Sequence, residues 1–173
     1  LEAARRSGLM GNLTRTMIHK CFKIFAGKNI HFSINITNED LFNPSFLEFL
    51  KLKQEQNGID PSHVVLEILE DIILNDANSV ALKSLENFKA LGYQLALDDF
   101  GSDRSNFNRF EQCGVDFVKI DGQFIKGIEH NERNQNIVES IVFMAHKMHI
   151  KVIAEFVSTQ EEFEMVCSLG VDY

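Results

Sequence analysis

Seven polar side chains sit at or just beyond the ends of apolar runs: Asn35, Glu67, Asp98, Asp99, Lys119, Asp121 and Glu155. A charge inside such a run costs several kcal/mol per ion, of the order set by desolvation, unless it is paired. Carboxylates that converge on one place repel each other unless cations neutralise them. Oxygen-only ligands, carboxylates with one Asn carbonyl, suit Mg²⁺ or Mn²⁺ better than zinc. Adjacent Asp98 and Asp99 on a strand would diverge and could reach two ions. Two such ions about 3.5–4 Å apart activate water and clamp a phosphodiester between them. Lys119 would orient the phosphate or the attacking water. Any one of these acids alone reads as a helix cap or a loop ion pair, and Asp98-Asp99-Phe100-Gly101 alone reads equally well as a turn. The recurrence of polar ends on every run favours the joint reading.

The runs themselves must position these groups. His31–Ile36 alternates polar and apolar and predicts a strand, as do 64–69, 93–97, 116–120 and 151–155, with Gly170-Val171-Asp172 as the start of a sixth. Helical spacing of apolar residues predicts helices over 9–25, 44–56, 79–91, 134–148 and 159–169. Gly27 and Gly92 are stops, Pro44 a start, and Thr159 opens the last helix with acids in its first turn. Strands alternating with helices of this length mean βα units and a parallel sheet. The closure is either an open doubly wound sheet or a barrel. No Gly-rich phosphate fingerprint comes after the first strand. Polar residues at the C-terminal strand ends favour a barrel, which carries its site on that face. A full (β/α)₈ barrel takes about 250 residues, so 173 residues predict an incomplete one, read as a single domain.

Composition bounds the function. With 17 basic and 25 acidic residues the net charge is −8, and 45% of residues are hydrophobic. A soluble globular domain is expected, and duplex nucleic acid is not an expected partner. No apolar run is long enough to span a membrane, and no leader pattern opens the chain. Cys21, Cys113 and Cys167 have no paired spacing, which argues against a disulfide framework and points to a reducing, cytoplasmic setting. The six histidines show no zinc spacing. Phe supplies 15 of the 17 aromatics and reads as core filling, and Glu129–Arg133 reads as a solvated loop.

Taken in order, the segments resemble the EAL family of bacterial cyclic di-GMP phosphodiesterases. Ser33-Ile34-Asn35-Ile36 resembles the family's Asn-bearing strand, and Glu67-Ile68-Leu69-Glu70 its paired-glutamate segment. Leu91 to Gly101 is the nearest stretch. Val118-Lys119-Ile120-Asp121 resembles the Lys-Ile-Asp strand. Ala145-His146 and Val152-Ile153-Ala154-Glu155 resemble the family's next helix and strand, and Leu169–Tyr173 the lead-in to its last strands. The resemblance implies an α/β, TIM-like barrel that opens cyclic di-GMP to linear pGpG with Mg²⁺ or Mn²⁺. It implies Asn35, Glu67 and Asp98 as ligands of one ion and Asp99 of a second. Lys119 and Asp121 would hold the nucleophilic water and the second ion, and Glu155 would be the general base or a metal-water residue. Glu70 would brace the loop after Gly101. A homodimer, formed through roughly residues 105–130, is also implied, as is fusion to sensory or diguanylate-cyclase-like domains.

Four departures accompany the resemblance. The Glu-Ala-Leu signature is absent; residues 3–18 resemble the helix next to it, which would put the signature before Leu1. Without that ligand the 173 residues alone are expected not to turn over. Asp103-Arg104 stand where the family has Gly-Tyr, and Phe156 and Ser158 where it has Gly and a second Glu. The Phe156 ring would crowd the substrate mouth or stack on a guanine. The last strand of the barrel would come after Tyr173. Two readings remain: a phosphodiesterase, or an inactive domain that binds cyclic di-GMP or a partner protein.

Overall fold

A computed structural model describes residues 10–69, 79–101 and 113–173. Glu70 and Arg104, with most of the loop after Gly101, lie outside the described residues. Contacts divide the described chain into two compact units, one of residues 10–68 with 79–95, the other of 69 with 96–101 and 113–173.

In the first unit, helix α1 (Met10–Phe25) leads to strand β1 (Phe32–Asn35), a short helix α2 (Asn38–Leu41), helix α3 (Pro44–Asn57), strand β2 (Val64–Leu69) and helix α4 (Ser79–Ala90). Local chemistry sets the boundaries. Thr37 and Asp40 form a reciprocal capping box on α2. Asn43 caps α3 with Pro44 in its first turn, and Gly58, at φ 61°, ends it in a left-handed turn. Strands β1 and β2 pair in parallel with unbroken register, Phe32 opposite Val64 through Asn35 opposite Glu67. The core gathers Ile18, Phe22, Phe46, Leu50, Leu66, Phe88 and Tyr93, all buried. Phe46 meets Phe88 edge-to-face at 6.1 Å.

The second unit takes up most of strand β3 (Gln94–Phe100) and continues through β4 (Phe117–Ile120), a one-turn helix α5 (Gly122–Ile125), helix α6 (Glu132–Lys147), β5 (Lys151–Ala154) and helix α7 (Gln160–Ser168). β3 pairs β4, and β4 pairs β5, all in parallel. Buried Leu97, Phe100, Val118, Ile120, Ile125, Ile128, Val138 and Val152 form its core. Phe117–Ile120 and Lys151–Ala154 are apolar apart from Lys119 and Lys151.

Three expectations need correction. β3 does not stop at Leu97 but carries Asp98, Asp99 and Phe100 inside the strand, so this tetrapeptide is not a simple turn. Residues 170–172 form no strand. Instead the N–H groups of Asp172 and Tyr173 donate to the Val152 carbonyl at 3.0 and 3.1 Å, and Ala154 N–H donates to the Tyr173 carbonyl at 2.9 Å, which lays the tail along β5. The stretch 129–133 is not an open loop, because Ile128–His130 is a 3₁₀ turn and α6 begins at Glu132 with Asn131 as its cap.

Candidate metal centre

In the first unit the parallel register sets Asn35 beside Glu67 at the C-terminal ends of β1 and β2. Residues paired in register share a face of the sheet. Asn35 is exposed, and Glu67 is buried. The Glu67 carbonyl accepts from Ile36 N–H at 3.0 Å, which holds the two strand ends together just past the polar pair.

In the second unit the arrangement is tighter. Asp98, Asp99 and Glu155 each offer a carboxylate oxygen within 4.8 Å of the other two. Lys119 reaches two of them: its Nζ lies 2.6 Å from Asp98 Oδ1 and 2.7 Å from Glu155 Oε1. These three side chains are 11–17% exposed, so the pairs are only lightly screened by solvent. Asp98 and Asp99 do not diverge as strand neighbours should. Leu97 pairs Val118 and Phe100 pairs Ile120, which leaves the two aspartates opposite Lys119 alone. This is a β-bulge, one residue inserted in β3. Asp99 adopts φ 57° within it, a left-handed conformation that Asp tolerates better than most residues. The inserted residue breaks the two-residue alternation and sends both carboxylates to one place.

Three carboxylates therefore gather within 4.8 Å of one another, two of them paired with one ammonium. Burial is the largest influence on Glu155 and raises its pKa; the hydrogen bond and charge of Lys119 pull it back, and the Asp98 and Asp99 charges raise it again. The balance leaves Glu155 above the usual glutamate range, as a proton acceptor of strengthened basicity. The surplus negative charge and the all-oxygen donor set fit a hard divalent cation such as Mg²⁺ or Mn²⁺.

Asp121 stands apart from this trio. It caps α5, its Oδ1 accepting from Gln123 N–H at 2.7 Å. Ser158, where the resemblance predicts a second glutamate, donates from both its N–H and its hydroxyl to Glu162 Oε2, at 2.8 and 2.9 Å. Glu162 also accepts from the N–H groups of Gly127 and Thr159, and these hydrogen bonds, that of Gly127 foremost, hold its pKa down to about 2. Phe156 stands at φ 56° and is 79% exposed. Sequence reasoning missed Gly122, which faces that ring, and it missed the bulge; the only signal for the bulge was two consecutive acids in an apolar strand.

The family model for the EAL domain matches residues 1–173. The chain belongs to the EAL domain family. It is 38% identical over 154 residues to cyclic di-GMP phosphodiesterase PdeA of Borreliella burgdorferi, an alignment covering 88% of this chain and 23% of that protein. It is 33% identical over 155 residues to a probable cyclic di-GMP phosphodiesterase PdeA of Escherichia coli, covering 90% and 21%. The chain thus spans about a fifth to a quarter of the length of these curated relatives. Among solved structures, the EAL enzyme Bd1971 with cAMP and cyclic di-GMP bound matches with TM-score 0.90 and 26% identity, covering 98% of this chain and 48% of that one. The MucR phosphodiesterase in complex with cyclic di-GMP superimposes with TM-score 0.91 at 23% identity, over 99% of this chain and 76% of that one, and shows the fold. The fold is accordingly α/β and TIM-like, of the EAL type, with five strands of the barrel among the described residues. No helix among the described residues is long and apolar enough to cross a membrane.

Proposed function

We propose that this chain is part of the catalytic domain of a metal-dependent phosphodiesterase, which in the intact protein hydrolyses cyclic di-GMP to linear pGpG. The observation that carries the reading is the cluster of Asp98, Asp99 and Glu155 around the Lys119 ammonium. On the family resemblance, Asn35, Glu67 and Asp98 would hold one ion and Asp99 a second, Lys119 and Asp121 would hold the nucleophilic water and the second ion, and Glu70 would brace the loop after Gly101. When bound, Mg²⁺ or Mn²⁺ would polarise the phosphate and lower the pKa of water.

The residues of the chain do the rest. Glu155 accepts the proton of the attacking water, a role its raised basicity suits. The water oxygen bonds to phosphorus, the P–O3′ bond breaks, and the leaving 3′ oxygen takes a proton from solvent water while Glu155 returns its own to solvent, so one phosphodiester opens and the other is untouched. Lys119 fixes the rotamers of Glu155 and Asp98 together and carries positive charge toward the phosphate oxygens. The bulge, by bringing two aspartates together beside Glu155, raises the local demand for a cation. In its protein the domain acts in the cytoplasm, as a homodimer, under fused sensory or cyclase-like domains.

Hydrolysis is tested in the full-length protein with cyclic di-GMP and Mn²⁺ or Mg²⁺, monitoring linear pGpG by chromatography. Product is expected with either ion, and Ca²⁺ is expected to inhibit because its larger, looser shell suits the site less well. Binding of cyclic di-GMP without product at high protein and saturating Mn²⁺ would replace the enzyme by a receptor.

A further inference from the structure

Two observations at the ends of β4 and β5 belong together. Phe156 directly follows Glu155 of the carboxylate cluster and holds a left-handed backbone, φ 56°, which a bulky L-residue rarely adopts. The residue is nevertheless largely exposed. Neither feature helps the fold: a glycine would relieve the backbone, and a polar residue would suit the solvent. A Cβ at Gly122 would stand 2.6 Å from Phe156 Cδ2 and 3.1 Å from its Cβ and Cγ. Gly122 has no positive φ to explain its identity; the ring in contact with it does. One side of the phenyl is thus seated on bare backbone beside Asp121, at the C-terminal ends of two parallel strands, and the rest is open.

We propose that Phe156 is a substrate-binding residue whose ring stacks on a guanine base of the cyclic dinucleotide, orienting it over the carboxylate cluster. This deepens the phosphodiesterase reading and rests on it. The chemistry suits the place. A purine offers a flat, polarisable face that an exposed phenyl ring can meet, a contact independent of the charges of the neighbouring carboxylates and of Lys119. The bare backbone of Gly122 leaves room for the ring on one side, and the other side stays open for a base. The alternative role, obstruction, predicts the opposite sign.

The experiment compares wild type, Phe156→Leu, Phe156→Trp and Phe156→Gly in the full-length protein. Calorimetric binding of cyclic di-GMP and the separate kcat and KM values with Mn²⁺ are measured. Phe156→Leu is expected to weaken binding roughly five- to hundredfold, the range that loss of one base–aromatic stack gives, with the effect in KM. Phe156→Trp is expected to restore affinity, and the Mn²⁺ concentration for half-maximal activity is expected to stay the same in all variants. Phe156→Gly, whose backbone is relaxed, separates stacking from strain: it should bind as weakly as Phe156→Leu while remaining folded by circular dichroism. Equal or tighter binding by Phe156→Leu and Phe156→Gly in a wild-type background that binds would overturn stacking and leave the phosphodiesterase reading standing. Wild type that neither binds nor hydrolyses cyclic di-GMP would overturn both.

Discussion

The ends of β1 and β2 and the ends of β3 and β5 carry the same kinds of side chain, but the backbone delivers them by different means. Asn35 and Glu67 arrive by regular parallel pairing, each the sole candidate ligand on its strand end, with no left-handed residue at either position. Asp98, Asp99 and Glu155 arrive with an inserted residue in β3, and left-handed residues at Asp99 and Phe156. A single ligand per strand needs only the ordinary register. Two consecutive acids on one strand would point to opposite faces, so bringing both to one place requires the alternation to be broken. The left-handed residue at Asp99 is thus tied to ligand number, and the first test of the comparison is to remove ligands from each end.

The largest effect is expected at the irregular end. Asp98→Asn keeps the volume and a hydrogen-bond acceptor for Lys119 but removes a negative charge. Turnover of cyclic di-GMP should fall by more than the roughly 10- to 100-fold that loss of an outer partner of a metal site costs, while the melting temperature stays near wild type. Leu97→Ala, one residue earlier and buried, should do the reverse: it costs roughly 2–5 kcal/mol of stability, the range for deleting a packed Leu side chain. Chemical denaturation with steady-state kinetics separates the two. Unfolding of Asp98→Asn would make that aspartate structural and dissolve the distinction between the strand ends.

At the regular end the expected loss is smaller. Asn35 contributes a neutral oxygen from an exposed position, so Asn35→Ala should raise the Mn²⁺ needed for half-maximal activity by roughly 10- to 100-fold and recover near wild-type kcat at saturating metal. A titration of activity against Mn²⁺ reads this directly. An unchanged midpoint would remove Asn35 from the ligand set.

The backbone half of the comparison is tested at Asp99. A β-branched residue in the left-handed region carries a penalty of roughly 1–2 kcal/mol, whereas Asn tolerates it. Asp99→Val should therefore be less stable than Asp99→Asn by about that amount, although both lose the carboxylate. Urea denaturation of the two variants gives the difference. Equal stabilities would mean that the bulge relaxes at no cost.

These contrasts mirror the division between what is legible in the sequence and what is not. The helices over 10–25, 44–57, 79–90 and 132–147 emerge from apolar spacing and end signals to within two residues, because burial of one face is a periodic property of the chain. Lys119, Asp98 and Glu155 can be picked out because charge inside an apolar strand is costly and visible in one dimension. The bulge cannot: two consecutive acids in an apolar strand mark the place, and only the pairing of β3 with β4 shows the extra residue. Nor can the tie between Phe156 and Gly122, 34 positions apart, since Gly122 looks like an ordinary residue at the start of a short helix. Ser158 reads as a lost acid, yet its hydroxyl and N–H hold Glu162, a role that depends on the loop geometry between β5 and α7.

That loop supplies the smallest and most conditional effect. Glu162 caps α7 and gathers the N–H groups of Gly127, Ser158 and Thr159 while nearly inaccessible to solvent, and its pKa falls from the usual 4.5 to about 2. A depressed carboxylate pKa contributes stability that is present above the unfolded value and is lost as pH falls through the folded one. Wild type should therefore exceed Glu162→Gln in stability by a constant margin above about pH 5, and the margin should close between there and pH 2. Ser158→Ala, which deletes one of the hydroxyl and N–H donors to Glu162, should narrow the margin without moving the pH at which it begins to close. Thermal unfolding of the three proteins across that range reads the effect. A margin that is flat with pH would mean that the amide makes the same hydrogen bonds as the carboxylate, and that the turn carrying Glu155 and Phe156 is held by geometry without help from charge.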